Sequence, residues 1–380
     1  MINKGNLPPG FKIERSESNS EEFFINMGPQ HPSTHGALRL ALRMDGETIV
    51  EMVPHFGYIH RGIEKQAENM NYLQYILLSD RQDYLTAIQN NLGVCLAYEK
   101  ALNIGVPERA EYIRVILQEL GRVASHMVFF ACFGGDLGGQ TCLLYGFKER
   151  EMVHDIIEEV TGSRLTTNFF RPGGSTFDVP DTFIPRVKAF IKHMDKTMKD
   201  YERFLSKNII VLERTKGIGI LSKEDAIAYG CTGPMLRGSG VKYDVRKNDP
   251  YSIYDQFDFD VPVTYNGDTY DRYTIRIAEI HESLKILKQA VEKFPEGPWR
   301  AKEKPVRLPA GRYYSAIETA KGLYATYVVA ASGDKPYRIH TRGPSFANLA
   351  PLNKMVQGQK ISDLVAILAT IDPVIPEIDR

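Results

Sequence analysis

Between residues 37 and 53 apolar and polar positions alternate with a period of two. Ala37-Leu38-Arg39-Leu40-Ala41-Leu42-Arg43-Met44 reads as one strand, Asp45-Gly46 as a tight hairpin turn, and Glu47 to Val53 as the returning strand. A short strand over Glu22 to Met27 precedes them, so a small antiparallel sheet is predicted near the N-terminus. Residues 1–20 carry no such pattern and read as a flexible arm.

From residue 79 onward the period changes to that of a helix. Ser79-Asp80-Arg81-Gln82 has the spacing of a capping box, and Leu85, Ile88, Leu92, Cys95 or Leu96, and Leu102 continue from it as one apolar face. Gly105-Val106-Pro107 ends that helix and begins another. From Pro107 to Phe133 the stripe is Ile113, Ile116, Leu117, Leu120, Val123, Met127 and Phe130. Arg109, Glu111, Arg114 and Glu119 are assigned to the solvated side, until the last two turns become apolar all round. Gly134-Gly135-Asp136-Leu137-Gly138-Gly139 is read as the terminator.

Further helices are predicted over Tyr145–Thr161, Pro180–Ser206, Ser222–Ala228, Asp271–Phe294 and Ser362–Thr370. The second has a clean stripe of Phe183, Val187, Phe190, Ile191, Met194, Met198, Tyr201 and Leu205, read as core packing. Ala325–Ala331 and Tyr337–Thr341, joined by Ser332-Gly333-Asp334, read as a hairpin. The pattern as a whole predicts an α+β chain: four or five long helices flanked by small antiparallel sheets. Its divisions are an N-terminal sheet at 21–55, a helical core at 60–295 and a mixed segment at 305–380, within a single domain over 21–380. Without βαβ alternation, a Rossmann domain is not expected.

Composition narrows the function classes. The 380 residues are 43% hydrophobic and 25% charged, an ordinary globular balance. Forty-seven basic and 47 acidic residues cancel, which argues against nucleic acid as the main partner. The first 25 residues lack the apolar run of a signal peptide, and the longest apolar run, Met127–Phe133, is far short of a membrane span. Any membrane association is expected to come through partners. Cys95, Cys132, Cys142 and Cys231 form no CxxC pair, so free buried thiols are expected and a cluster or zinc site built on cysteines is not.

Candidate chemistry gathers in loops. Gly28-Pro29-Gln30-His31-Pro32-Ser33-Thr34-His35-Gly36, set between two strands, is stiffened by its prolines and presents His35 beside a glycine. Pro54–Gly62 (PHFGYIHRG) reads as an ordinary connection, although it carries His55, His60 and Arg61. Tyr84, in the first turn of its helix, reads as an amphipathic boundary residue. Asp136 is either an exposed turn aspartate or a buried carboxylate with a partner; the local sequence leaves both open. Gly233–Gly240 (GPMLRGSG) lacks the Gly-Lys-Ser/Thr of a P-loop and follows no strand, so nucleotide binding there is rejected.

Several segments together resemble one family. MGPQHPSTHGALRL, HFGYIHRGIEK, LSDRQDYL, IRVILQELGRVASH, FRPGG, LRGSGVKYDVRK, YDRYTIRIAEIHES, PYRIHTRGPSF and the closing IDP…DR, in order from about residue 22, are similar to the D subunit of respiratory complex I, the proton-pumping NADH:quinone oxidoreductase. The resemblance implies the fold of the nickel–iron hydrogenase large subunit. The hydrogenase thiolates are missing, however: Asp372-Pro373 remains, but Val374 and Glu377 stand where the second CxxC pair would be, so no metal is expected on this chain.

By the same resemblance the quinone headgroup falls to His35 and Tyr84 with Thr34 beside them, the acid paired with the histidine falls on Asp136, and Arg61 lies near an iron–sulfur cluster of a partner. It implies quinone as substrate, with NADH, flavin and iron–sulfur clusters held in other subunits. The implied partners are a cluster-bearing B subunit, a C subunit and membrane-arm subunits, and the implied location is peripheral, on the cytoplasmic side of the membrane. Two rivals remain: a metal-containing hydrogenase-type enzyme, and a degenerate scaffold in a hydrogenase-like complex fed by ferredoxin or another donor.

Overall fold

A computed structural model describes residues 13–15, 22–34, 36–302 and 305–380. The N-terminal sheet is antiparallel in the order β1 (Ile13–Arg15), β2 (Glu22–Met27), β3 (Arg39–Asp45) and β4 (Thr48–His55). The period-two reading holds: Leu38, Leu40, Leu42 and Met44 are buried, while Arg43 faces outward between Glu22 and Glu51 at 2.9 and 3.1 Å. β1 pairs with β2 inside the stretch read as an arm, and the remainder of that stretch lies outside the described residues.

The helices that carry the argument are α1 (Tyr72–Ser79), α2 (Ala87–Leu102), α3 (Glu108–Asp136), α4 (Gln140–Thr161), α5 (Phe183–Tyr201) and α6 (Thr269–Glu292). The whole stripe assigned to α5 and the π-helical turn after it is buried. Two small strands, β5 (Phe170–Arg171) and β6 (Gly174–Ser175), pair with each other. A second antiparallel sheet follows, β7 (Gly311–Thr319), β8 (Gly322–Ala330) and β9 (Pro336–Arg342), and the chain closes with α7 (Ile361–Ile371) and α8 (Ile375–Ile378). Among the described residues the fold is α+β, five long helices with small antiparallel sheets. One apolar core fills the space among the helices and β7–β8; a second joins the N-terminal sheet to α7 and α8.

One sequence expectation is corrected, one is refined, and one strand went unread. Ser79 ends α1 instead of starting a helix. The capping box belongs to Asn71 and Gln74, and the helix expected at residue 79 begins only at Ala87. α3 ends at Asp136, inside the Gly134–Gly139 segment read as its terminator, so Gly134 and Gly135 still belong to the helix. Gly134 and Gly146 let α3 and α4 approach: a Cβ on Gly134 would stand 2.5 Å from Cys142 Cβ, and one on Gly146 2.7 Å from Ala131 Cβ. Strand β7 shows no alternating apolar pattern because its buried positions include Ser315, Glu318 and Thr319. Among the described residues α3 is the one helix long and apolar enough to cross a membrane, and 94% of its apolar stretch is buried within the protein. The four cysteines are free; Cys95 and Cys231 are buried, Cys132 and Cys142 only half-buried.

The largest departure concerns charge. Arg114 and Glu119, assigned to solvent, are fully buried, as is Arg122. Glu119 of α3 pairs with Arg246 at 3.1 Å and Arg122 at 3.2 Å, and accepts from Tyr254 Oη and from Ser283 Oγ of α6, both at 2.7 Å. Arg246 also grips Asp244 at 2.7 Å. Arg237, on a short helix over Pro234–Gly238, holds Glu279 of α6 at 2.5 Å and Glu318 of β7 at 2.7 Å. His126 of α3 completes the set, its Nε2 2.9 Å from Glu279. The loop rejected as a phosphate cradle thus supplies a guanidinium that ties α3, α6 and β7 together.

Removing one partner leaves the others charged and dry. Arg237→Met is expected to lower unfolding free energy by about 3–5 kcal/mol, read by denaturant titration, while Lys354→Ala, which breaks the exposed pair with Asp225, leaves the midpoint near wild type. Acid should act through the same network. Burial works to raise Asp244, but the Arg246 and Arg237 guanidiniums outweigh it and hold the carboxyl at about 2, below its ordinary 3.8. Its stabilisation is therefore full above about pH 4 and lost as pH falls towards 2. The loss of stability over that range should be shallower in Asp244→Asn.

Candidate functional site

The turn 80–86 between α1 and α2 is held from inside. Asp80 accepts from the Asn168 backbone N–H at 2.9 Å and also from the Asn91 amide. Gln82 accepts from Tyr324 Oη at 2.8 Å. Asp83 accepts from the Leu85 N–H at 2.9 Å and from Thr86 Oγ1 at 2.5 Å, just before α2 begins. Three buried polar side chains thus point inward and leave Tyr84 facing out, 44% exposed, in a turn where the sequence pattern had placed the first turn of a helix.

Asp136 is the last residue of α3, one helical turn beyond Cys132. The Cys132 thiol is pushed up to about 11, by burial first and then by the charges of Asp372 and Asp136, with Lys321 and Arg150 acting against them. Tyr84 is also raised, by burial and then Asp83, with Lys321 opposing and Asp372 and Cys132 adding to it. Cys132 is therefore within electrostatic reach of both Tyr84 and Asp136, and of Lys321, Asp372 and Arg150. Arg150 reaches this place from α4, its guanidinium 5.7 Å from the centre of the Phe147 ring. A cavity of about 340 Å³, lined in part by Glu99, Glu111, Tyr251 and Ser252, lies near the opposite end of α3.

His35 lies outside the described residues. On its N-terminal side Thr34 is buried, its Oγ1 donating to the carbonyls of His31 at 2.8 Å and Gly36 at 3.1 Å. On its C-terminal side a Cβ on Gly36 would come 3.0 Å from Ile375 Cγ1, so the loop rests on α8. Arg61 is exposed, on a loop that proves to be more than a connection. Asp379 accepts from the N–H groups of Gly57 at 2.6 Å and Ile59 at 3.1 Å, and its carbonyl lies 2.5 Å from His60 Nδ1. Arg380 pairs with Glu64 at 3.1 Å.

Two further buried charges bear on this turn, Lys321 on Tyr84 and Asp83, and Glu377 on Asp83. Lys321 sits in the turn between β7 and β8, where a lysine is ordinarily solvated, yet it is 1% exposed and pairs with Asp372 at 2.6 Å. Glu377 is 1% exposed, its Oε2 accepting from the Ser345 N–H at 2.9 Å. Gly343 makes room for it, since a Cβ there would stand 2.2 Å from Glu377 Cγ. Burial, and then the charge of Asp83, raise Glu377 to about 7, while Ser345 and Lys321 oppose. Asp372-Pro373 stood out in the sequence and Asp83 lies within the LSDRQDYL motif; Lys321 had no signal a reader could have used. Val374 is buried, its N–H on Ser345 Oγ at 3.2 Å. Among the described residues no three His, Cys, Asp or Glu side chains are grouped to hold a metal ion.

Chemically, this arrangement offers a half-exposed phenol that keeps its proton, a carboxylate within the same neighbourhood, and a buried acid–ammonium cluster behind them. Comparison with known proteins gives the arrangement a lineage. A sequence model of the family described as respiratory-chain NADH dehydrogenase, 49 kDa subunit, matches residues 136–309 and 300–380. The chain is 50% identical over 365 residues to the D subunit of the NADH-quinone oxidoreductase of Clostridium beijerinckii, covering 96% of this chain and 99% of that one. It is 48% identical over 361 residues to the D subunit from Desulforamulus reducens, covering 95% and 99%, and 47% identical over 389 residues to the one from Geotalea uraniireducens, covering 96% and 100%. The family that the motifs resembled and the family that whole-length similarity finds are the same, and the chain belongs to it: the 49 kDa subunit family of respiratory-chain NADH dehydrogenase.

Proposed function

We propose that this chain forms the quinone-headgroup face of a proton-translocating NADH:quinone oxidoreductase. The observation that supports the reading best is whole-length similarity: the chain is about half identical along nearly its whole length to proteins named as the D subunit of NADH-quinone oxidoreductase, and its Tyr84 and Asp136 both lie within electrostatic reach of Cys132. Reduction of a quinone to its quinol takes up two electrons and two protons, and each carbonyl oxygen becomes strongly basic as charge arrives. Donors aimed at both oxygens, each able to release a proton, suit that chemistry.

Tyr84 supplies one such donor. Burial and the nearby carboxylates raise its hydroxyl, so it holds its proton until a base stronger than water appears beside it. The family resemblance assigns the other donor to His35 and its partner acid to Asp136; a carboxylate paired with an imidazole favours the imidazolium and fixes the ring's orientation. Thr34, buried and bonded to the carbonyls on either side of His35, keeps that loop in shape. Once the proton leaves the imidazole, the charge of Asp136 is uncompensated, and that imbalance drives the later steps of proton translocation.

The electrons come from an iron–sulfur cluster in a partner. Arg61, exposed on the loop that Asp379 clamps, is presented to that cluster-bearing B subunit. The C subunit and membrane-arm subunits complete the assembly on the cytoplasmic side of the membrane, and NADH and flavin act upstream in other chains.

Three outcomes are expected in membranes holding the assembled complex. Tyr84→Phe keeps cluster reduction by NADH but lowers quinone reduction on the order of 10²-fold; unchanged turnover would put the headgroup elsewhere or make this chain a scaffold. Asp136→Asn lowers quinone-dependent proton pumping, and full pumping at full turnover would remove Asp136 from the coupling. Asp379→Ala frees the N–H groups of Gly57 and Ile59, so the B subunit should come away at lower detergent than in wild type, measured by its retention on a tagged complex.

A further inference from the structure

We propose that Asp80 is a positioning residue for Tyr84: its buried carboxylate fixes the 80–86 turn to α2 and to the residues just before β5 at once, and so sets where the phenol stands against the quinone. This rests on the reading of Tyr84 as a headgroup donor. Tyr84 lies in the gap between the end of α1 at Ser79 and the start of α2 at Ala87, and it is 44% exposed. No helix carries it, so its place is inherited from the turn. The turn's own backbone bonds shape it without attaching it to anything distant: Arg81 N–H on the Leu78 carbonyl at 3.0 Å, Gln82 N–H on Ser79 at 3.3 Å and Thr86 N–H on Asp83 at 3.3 Å. A proton donor needs tighter control than that, because small displacements from the reacting atom carry large rate penalties.

Asp80 supplies the attachment. It is 1% exposed, one oxygen accepting from the Asn91 amide of α2 and the other from the Asn168 N–H at 2.9 Å. Asn91 is fully buried, and its amide also donates to Ser79 Oγ at 3.1 Å and to the Ile76 carbonyl at 3.3 Å. One side chain of α2 thus carries the end of α1 and the turn together. Asn168 comes from a different part of the chain, with its backbone in the left-handed region at φ 41°. The β5–β6 hairpin that follows it is held by Arg114 of α3, which donates to the carbonyls of Arg171 at 3.0 Å and Gly174 at 3.4 Å. Among the described residues the bond from Asn168 to Asp80 is the one hydrogen bond between the 80–86 turn and the stretch 163–171. Through it the turn is placed relative to α3, the helix that ends at Asp136. Asn90 completes the frame, its amide bridging the carbonyls of Ser79 at 3.3 Å and Asp83 at 3.4 Å, the latter in the peptide that leads into Tyr84.

The donors around Asp80 call for a carboxylate. Both are N–H groups, and a carboxamide at the same position would offer a single acceptor oxygen for the two of them. Burial raises Asp80 to about 7, with the Asn168 N–H, the Asn91 amide, Arg81 and Arg171 opposing, so the frame is complete on the alkaline side of that value. The charges that bear most on the Tyr84 hydroxyl are Asp83, Lys321, Asp372 and Cys132, with Arg150 from α4. Asp80 therefore acts on Tyr84 through the backbone.

The test uses the whole complex in membranes, with NADH as donor and a short-tailed benzoquinone as acceptor, at about pH 8, where the Asp80 carboxyl is ionised. Asp80→Ala should lower kcat about tenfold, with KM for the quinone unchanged and cluster reduction by NADH intact. A double-mutant cycle with Tyr84→Phe separates positioning from general support. A residue that acts through the Tyr84 hydroxyl has nothing left to act on once that hydroxyl is gone, so the double variant should turn over as Tyr84→Phe alone does. A merely structural role would multiply the two losses. A double variant about tenfold slower than Tyr84→Phe, or Asp80→Ala with the wild-type kcat, would overturn the positioning role and leave the headgroup reading standing. Retained turnover in Tyr84→Phe would overturn both. Should Asp80→Ala fail to assemble, Asp80→Asn, which keeps one acceptor, goes through the same cycle. A loss of kcat that disappears in the Tyr84→Phe background supports the role; no loss, or an equal loss in both backgrounds, overturns it.

Discussion

Burying Glu119, Asp244, Glu279 and Glu318 with Arg122, Arg237 and Arg246 takes seven ionisable groups out of water at one place. Such groups are tolerable only while every partner is present, so the segments that carry them must arrive together: α3, α6, β7, the short helix with Arg237 and the Asp244–Arg246 turn. His126 reports how dry the place is. Burial outweighs the adjoining Glu279 and lowers its affinity for a proton, so the imidazole serves as a neutral hydrogen-bond partner. Apolar packing makes this core compact, and the charges fix which elements are its neighbours.

That arrangement is also what positions the candidate site. α3 runs from the ion network to Asp136, and β7 runs from Glu318 of the network to the turn that holds Lys321. Both ends of the site are therefore extensions of elements already fixed in register by buried charge. The C-terminal tail then closes over them, with Glu377 against Ser345 and Asp379 on the loop at 57–60. Rigid support of this kind is what proton transfer over short distances needs, because small displacements of a donor carry large rate penalties.

Wherever burial follows apolarity, the fold was legible in the sequence. Leu38 to Met44 alternate as read, and the stripe from Phe183 to Leu205 faces the core without exception. Reading polarity as exposure failed at Arg114 and Glu119, because a charged residue's burial depends on partners on other elements: Glu99, 15 positions away, for Arg114, and Arg246, 127 positions away, for Glu119. The same blindness hid the site's interior. Asp80, Gln82 and Asp83 looked like the start of a capped helix, whereas they are anchors that turn the chain so that Tyr84 faces outward. Tyr84 and Asp136 became visible only through the resemblance of whole motifs, and Lys321 not at all, since nothing local distinguishes a buried turn lysine from a solvated one.

The clamp between Asp379 and the N–H of Gly57 joins residues 322 positions apart. Contacts of such separation are entropically expensive to close and gain little until the intervening chain is in place, so they form late. Their strength at any moment therefore reflects how much of the rest has already folded. A neighbour that recognises the outward loop from Phe56 to Arg61 in its clamped shape would, by the same contact, be recognising a finished chain. Assembly order would then follow from loop-closure entropy, with no dedicated checkpoint.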